Sequence, residues 1–195
     1  MAEPAIRPMT LDEFLDWDDG TDTRYELVAG FPVAMAPPAE AHRILATRLG
    51  SRLDAALAIR RPCNAQVEAG IERLDRADSY FVADIAVTCA PNERGRQAIK
   101  DPILIVELLS PGTERHDIKV PAYRAIDSVA EILLIDSQSI YAEILRREGG
   151  RWITELVRGP DALLRLSSVE LSIPMAELYS GIDLAGDEIT ERATR

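Results

Sequence analysis

Two acidic residues stand inside apolar runs that otherwise have the composition of buried strands. Asp84 lies within YFVADIAVTC, and Glu107 lies within PILIVELL. A carboxylate covered on both sides loses its hydration, which costs much free energy unless a partner or a metal ion compensates. A buried salt bridge, or a strand end that reaches water, would explain one such residue equally well. Two of them, in neighbouring strand candidates, favour a site for a catalytic divalent metal ion.

The ligand type indicates which metal to expect. Carboxylate oxygens without a cluster of His and Cys favour Mg²⁺ or Mn²⁺ over Zn²⁺, and the backbone carbonyl of Leu108 is a candidate third oxygen. Glu26, in YELV, is a further candidate, although an exposed strand charge is the alternative. Lys119 follows Glu107 by twelve residues, at the start of the next predicted helix. Its ammonium could orient a water nucleophile or neutralise charge on a phosphate, whereas a solvated helix lysine is the alternative.

Hydrophobic periodicity and turn signals predict the elements that must position these residues. Apolar residues at helical spacing predict a long helix from about Glu40 to Ile59, and Thr10 to Glu13 form a capping-box pattern. The remaining predictions are a helix at about Leu11–Asp18, a hairpin at Tyr25–Met35, strands at Cys63–Leu74, Tyr80–Cys89, Pro102–Leu109 and Glu131–Asp136, a helix at about His116–Ile126 with Pro121 in its first turn, a hairpin of Ile140–Leu145 and Arg151–Val157, a strand at Leu171–Ile173 and a helical turn at Pro174–Tyr179. Without a repeat or a linker, this pattern predicts one α/β domain spanning residues 1–195.

Composition restricts the class of protein. The chain has 195 residues, of which 47% are apolar and 28% charged, as in an ordinary globular domain. It contains no apolar run long enough to span a membrane and no signal-peptide pattern at its start. Cys63 and Cys89 imply no disulfide framework, so a cytoplasmic protein with reduced thiols is expected. The net charge of -11 argues against strong non-specific binding of DNA but not against a local basic cleft.

Several segments share the order and spacing of a known family. They run from RYELVAGFPVAMAPPAEAHRIL through VADIAV and PILIVELLSPGTERHDIKVPAY to EILLIDSQ, GGRWITELVRGPDALLRL and AELY. Together they resemble the Uma-type endonucleases of the PD-(D/E)XK nuclease superfamily over nearly the whole chain, and VELLSPGT is the most specific of them. The resemblance implies a restriction-endonuclease-like core, a mixed β-sheet with flanking helices. It also implies an N-terminal extension made of a helix, a hairpin and a second helix.

The resemblance also assigns roles to residues. Asp84 matches the acidic residue of the "PD" motif and Glu107 the following acidic residue, so both would bind the metal. The usual lysine position falls on Leu109, which cannot do that work, and Lys119 on the next helix would replace it. Glu26 matches an N-terminal acidic residue that completes or orients the metal shell.

Three further positions bear on the match. His42 matches a recurring family histidine, for which a helix-face hydrogen bond and a catalytic role both stay open. Tyr123 keeps the K-x-x-x-Y spacing from Lys119 and is a possible accessory residue. Ala83 stands where the motif has its proline, a residue that shapes the strand and is not part of the chemistry.

The function implied is that of a hydrolase, a magnesium-dependent endodeoxyribonuclease with DNA as its substrate. A homodimer is expected, because cutting both strands of a duplex calls for two sites. Two alternatives stay open: a catalytically inactive nuclease-fold module for interaction or assembly, and a phosphodiesterase acting on RNA or nucleotides. Basic residues near the long helix and in the loop after Cys89 could contact phosphates or be plain solvated charges: Arg43, Arg48, Arg52, Arg60, Arg61, Arg94, Arg96 and Lys100.

Overall fold

A mixed eight-stranded sheet forms the centre of the fold. The computed structural model describes residues 7–73, 76–110 and 116–184. In chain order the elements are α1 (Leu11–Leu15), β1 (Tyr25–Val28), β2 (Phe31–Ala34), α2 (Glu40–Leu57), β3 (Asn64–Glu72), β4 (Tyr80–Thr88), β5 (Pro102–Leu109), α3 (His116–Arg124), β6 (Glu131–Asp136), β7 (Tyr141–Glu148), β8 (Arg151–Arg158), β9 (Leu163–Leu166), a short 3-10 helix (Ser167–Val169), β10 (Leu171–Pro174) and α4 (Met175–Tyr179). These bounds agree closely with most of the predicted elements, and the predicted mixed α/β architecture is confirmed.

The strands are ordered β2-β1-β4-β5-β6-β7-β8, and β3 pairs with β4 beside this path. β5 and β6 are parallel, whereas the other pairs of this sheet are antiparallel. A parallel pair needs a crossover connection, which α3 provides between β5 and β6. β9 and β10 form a separate two-stranded sheet.

Two strands that diverge from each other, β1 and β5, share one edge of β4, and β3 lies along the opposite edge. β3 accompanies β4 along its whole length, from Tyr80 to Thr88. On the other edge, β1 pairs with β4 at Tyr80, and β5 pairs with it from Ile85 onward. Among the described strands, none pairs with residues 82–84 on this edge. The sheet therefore has a fork at this point, and backbone groups inside a fork need side-chain partners.

The two faces of the sheet are covered by different helices. Leu45, Leu49 and Leu53 of α2 recur every four residues and are fully buried against one face, together with α4 and the β9–β10 pair. Val120 and Tyr123 of α3 pack in the cluster on the opposite face. Because both faces are covered, β4, β5 and β6 are apolar almost throughout, as expected for doubly covered strands.

Three details differ from the expectations. Pro121 was predicted in the first turn of its helix, but α3 begins at His116 and Pro121 lies inside it. The position is tolerated at the expense of one backbone hydrogen bond, because proline has no N–H. β9 was not predicted, since LLRL is too short to show a period. The expectation of reduced thiols is wrong for this structure, because Cys63 and Cys89, which flank β3 and β4, form a disulfide bond.

Candidate active site

The fork in the sheet is closed by two charged side chains. The N–H of Val82 donates to Glu26 Oε1 at 2.9 Å, and the carbonyl of Val82 accepts from Lys119 Nζ at 2.9 Å. Both groups of one strand residue point to the same edge, so Glu26 and Lys119 occupy the place where a neighbouring strand would pair. The fork thus fixes two of the residues that the sequence singles out.

Lys119 makes its remaining contacts with two carboxylates. Its Nζ lies 2.8 Å from Glu26 Oε1 and 3.2 Å from each carboxylate oxygen of Glu107. Burial opposes the charged ammonium, but Glu107 and Glu26 outweigh it, and the pKa of Lys119 is raised above its ordinary value. Lys119 is therefore a cation that is held in the protein interior, with only 8% of its surface exposed.

Glu107 is surrounded by both donors and like charges. Tyr123, which is fully buried, donates its hydroxyl to Glu107 Oε1 at 2.5 Å. Burial, with smaller contributions from the negative charges of Asp84 and Glu26, raises the pKa of Glu107 to about 7 against the lowering effects of Lys119 and Tyr123. Ionising this carboxylate is therefore costly in the folded protein, and a bound cation would reduce that cost.

Asp84 lies where the alternation of β4 changes. Phe81 and Ala83 pack on the α3 side of the sheet, whereas Ile85 and Val87 pack on the α2 side, although a regular strand would place all four together. Asp84 is the residue between the two pairs. Its side chain keeps 22% of its surface exposed. The change in alternation therefore brings a carboxylate out of the doubly covered strand.

Two hydrogen bonds fix the Asp84 carboxylate. Oδ2 accepts from the N–H of Leu108 at 2.6 Å, and Oδ1 lies 3.0 Å from His42 Nε2. Because the N–H and carbonyl of a strand residue share an edge, the carbonyl of Leu108 also faces the Asp84 side of β5. Asp84, Glu107 and the Leu108 carbonyl thus place oxygen atoms around the same fork.

The residues at the fork fit a divalent cation in their chemistry but only in part in their arrangement. Their donors are hard oxygens, so a site of two carboxylates suits Mg²⁺ or Mn²⁺ chemically, and the pKa of Glu107 is raised first by burial and then by the neighbouring carboxylates. Among the residues that the structure describes, however, no three His, Cys, Asp or Glu side chains are arranged to hold a metal together. Glu26, the third carboxylate, is instead bonded to Lys119 and to the N–H of Val82.

The structure adds partners that the sequence did not indicate. His42 Nδ1 lies 3.5 Å from Ser110 Oγ, which in turn lies 3.1 Å from Ser137 Oγ. This chain of polar groups connects α2 to the ends of β5 and β6 behind Asp84. The helix-face hydrogen bond considered for His42 exists: Nε2 faces Asp84 Oδ1 and Nδ1 faces Ser110 Oγ, and the tautomer decides which nitrogen donates. No sequence signal distinguished Ser137 or the Val82 backbone.

Most of the basic residues considered for substrate contact bond to the protein itself. Arg48 donates to the carbonyl of Leu178, and Arg52 forms an ion pair with Glu177, so both are tied to α4. The others with such partners are Arg43 to the carbonyl of Pro38, Arg60 to the carbonyl of Ser168 and Glu170, Arg96 to the carbonyl of Ala98, Glu72 and Glu93, and Lys100 to Glu93. The described residues therefore form no obvious basic cleft.

Comparison with known proteins identifies the fold independently. A crystal structure from Anabaena variabilis, described as "a putative nuclease belonging to DUF820", superposes with a TM-score of 0.73 at 23% identity, covering 89% of this chain and 98% of the other. An uncharacterized protein of Synechocystis sp., slr1290, is 27% identical over 192 residues, covering 92% of this chain and 94% of the relative.

The family follows from a match that spans most of the chain. Residues 11–176 match the family model Uma2, described as "Putative restriction endonuclease". This range includes β1, β4, β5 and α3, the four elements that supply the residues of the fork. The chain therefore belongs to the Uma2 family of restriction-endonuclease-like proteins.

Proposed function

We propose that this protein is a metal-dependent endonuclease that hydrolyses phosphodiester bonds in DNA. The observation that carries the proposal is the meeting of Asp84, Glu107 and Lys119 at a fork of the central sheet. Two carboxylates on adjacent strands, with a buried ammonium beside one of them, are what hydrolysis of a phosphodiester needs: ligands for a cation and a positive group near the reacting phosphate. Membership of a family described as endonucleases supports the same reading.

Each residue would have a distinct task. Asp84, Glu107 and the carbonyl of Leu108 would hold Mg²⁺ or Mn²⁺. When bound, the ion supplies a lowered pKa for a coordinated water and stabilisation of charge on the scissile phosphate. Lys119 would direct an N–H toward the attacking water or the phosphate. His42, bonded to Asp84, would orient that carboxylate.

A homodimer acting on duplex DNA belongs to the same proposal, because each strand of a duplex needs its own site. β8 is the outermost strand at one end of the sheet order, and it exposes about half of Ile153 and Leu156. No helix among the described residues is long and apolar enough to cross a membrane. The expected cytoplasmic location stays a prediction, and the Cys63–Cys89 disulfide is less usual in that compartment.

The proposal is tested by incubating supercoiled plasmid with the protein and Mg²⁺ or Mn²⁺. Wild type should nick or linearise the plasmid, and EDTA should stop the reaction. Asp84→Ala and Lys119→Ala should each reduce the rate by at least about a hundredfold, the usual cost of losing one group that stabilises the transition state. Equal cleavage by all three proteins would show that Asp84 and Lys119 are not needed for the reaction and that this is not the active site. RNA and nucleotide diesters in the same assay would reveal a different substrate.

One observation favours the rival, a catalytically inactive interaction module. The net charge is -11, and most basic candidates for phosphate contact are engaged within the protein. Phosphate-backbone binding normally relies on basic surface. Calorimetry separates the two readings, because an inert module would bind no Mn²⁺ and its stability would not depend on the ion. The proposed enzyme should bind Mn²⁺ and lose that binding in Asp84→Asn.

A further inference from the structure

The three N–H donors of the Lys119 ammonium have unequal acceptors. We propose that Glu26 is a positioning residue, not a metal ligand: it anchors Lys119, whose contact with Glu107 is the exchangeable one and is given up when Glu107 binds a divalent cation. The inference rests on the proposed function for its second half only. The anchoring of Lys119 by Glu26 is a property of the metal-free protein.

A closed ring of hydrogen bonds supports the anchor. Val82 donates its N–H to Glu26 at 2.9 Å, Glu26 accepts from Lys119 at 2.8 Å, and Lys119 donates to the carbonyl of Val82 at 2.9 Å. Each member holds the other two, and Glu107 takes no part. Glu26 is 2% exposed, so this arrangement is protected from water. Charge-assisted hydrogen bonds of this length are the strong ones.

The contact with Glu107 is of another kind. Lys119 Nζ is 3.2 Å from both carboxylate oxygens, so its third N–H is shared between two acceptors at longer range. An ammonium has three donors, and two are already used by Glu26 and Val82. Lys119 can therefore lose Glu107 and remain in place. Glu107 also keeps Tyr123 as a donor when Lys119 withdraws.

The occupancy of Glu107 determines whether Lys119 has a donor available for a substrate. In the metal-free protein its last donor is occupied by Glu107, so it acts as an internal counter-ion for that carboxylate. If Glu107 bound a cation, Lys119 would no longer be needed as its counter-ion, and the third donor would be free while Glu26 and Val82 still hold the ammonium. The lysine is thus available to a water or a phosphate only in the loaded site.

The lysine content of the chain makes the anchor measurable without metal. Lys119 and Lys100 are the only lysines, and Lys100 is an exposed residue whose ammonium pairs with Glu93 on the surface. We would treat metal-free full-length protein with an amine-reactive ester and follow both lysines by mass spectrometry, with Lys100 as the reference. Glu26→Gln should speed modification of Lys119 by at least about tenfold, the equivalent of one charge-assisted hydrogen bond. Glu107→Gln should speed it by less than about threefold, because the ring stays intact.

The opposite pattern, protection lost in Glu107→Gln and kept in Glu26→Gln, would show that Glu107 is the anchor and overturn the proposal. Glu68→Gln replaces an exposed glutamate of β3 and is the control. In this variant Lys119 should be modified at the wild-type rate. If Glu26→Gln does not fold, Glu26→Asp replaces it. That variant keeps the charge but shortens the side chain, so modification of Lys119 should again increase.

The second half of the inference, that Glu107 and not Glu26 binds the cation and releases Lys119, is tested by calorimetry with Mn²⁺ alone. Glu26→Gln should retain wild-type affinity within about threefold, whereas Glu107→Gln should weaken it at least about tenfold. In cleavage assays Glu26→Gln should lower kcat with little change in KM, and Glu26→Asp should recover part of the loss. A loss of Mn²⁺ affinity in Glu26→Gln as large as in Glu107→Gln would make Glu26 a ligand and overturn the inference. If wild type binds no Mn²⁺, the proposed function fails, and so does the proposed loss of the Lys119–Glu107 contact on metal binding. The labelling experiment still decides whether Glu26 anchors Lys119.

Discussion

At the scale of single residues, Glu107 is the group whose surroundings matter most. It sits between a cation, a buried tyrosine hydroxyl and two other carboxylates, and burial contributes most to the rise of its pKa to about 7. An ordinary glutamate titrates well below this value. The folded state therefore binds a proton that the unfolded state releases, which makes stability depend on pH in a defined direction.

We expect the metal-free protein to lose stability relative to Glu107→Gln as pH rises from about 4.5 to about 7. In this window the unfolded chain ionises Glu107 freely, while the folded protein must either keep the proton or bury the charge. The raised pKa of Glu107 corresponds to a loss of about 3 kcal/mol in the free energy of unfolding of wild type relative to Glu107→Gln. This loss is fully developed above pH 7. Urea unfolding of both proteins at several pH values measures it. A constant difference across this range would mean that Glu107 is not destabilised in the fold.

Tyr123 should support both stability and activity. Tyr123→Phe removes one of the two buried side chains that donate to Glu107 and leaves only Lys119, which should lower the free energy of unfolding by about 1–3 kcal/mol. Tyr179→Phe is a matched control, because Tyr179 is also buried and its hydroxyl donates to the backbone carbonyls of Asp136 and Tyr141 instead of to a candidate metal ligand. Both variants should lose stability in urea, but only Tyr123→Phe should slow plasmid cleavage. Equal activity of the two would leave Tyr123 a purely structural residue.

At the scale of elements, the site is a product of how strands meet. Sequence periodicity predicted β4, β5 and α3 well, because long apolar runs and helical spacing are strong local signals. It also predicted that Asp84 and Glu107 lie on neighbouring strands. It could not predict the fork or the change of alternation at Asp84, since both depend on pairing between strands distant in the chain. For the same reason Val82 escaped notice: its contribution comes from its backbone.

The close approach at Gly70 gives a test at this scale. A Cβ at Gly70 of β3 would lie 1.8 Å from the Tyr80 hydroxyl, which is held by the carbonyl of Gln97. Gly70→Ala should therefore cost about 1–3 kcal/mol by overpacking next to the end of β4. Gly50→Ala in α2 meets only ordinary contacts at 3.8 Å and should be neutral or stabilising by up to about 1 kcal/mol. Similar melting temperatures for the two variants would contradict this packing.

At the scale of the whole molecule, composition was a partial guide. It predicted a globular chain, and the acidic balance agrees with the absence of an obvious basic cleft among the described residues. It failed for Cys63 and Cys89, because two cysteines alone carry no information about their separation in space. The disulfide links two positions 26 residues apart and closes β3 and β4 into a loop.

Reduction of this disulfide should lower the free energy of unfolding by about 2–4 kcal/mol, since a crosslink restricts the unfolded chain. Thermal melts with and without a thiol reductant measure the effect. A variant with Cys63→Ser and Cys89→Ser serves as the control and should melt alike in both conditions, near reduced wild type. A wild type insensitive to reductant would mean that the two thiols are not joined in solution.

The proposed function requires that Asp84 and Glu107 hold a divalent cation beside a lysine that is anchored by Glu26. Crystals soaked in Mn²⁺ and measured for anomalous scattering test it most directly. We expect a single strong peak in contact with the carboxylates of Asp84 and Glu107, with Lys119 still bonded to Glu26 and the Val82 carbonyl. A soak that leaves Lys119 on Glu107 and shows no peak between the two carboxylates, or a peak bound by Glu26, would contradict it.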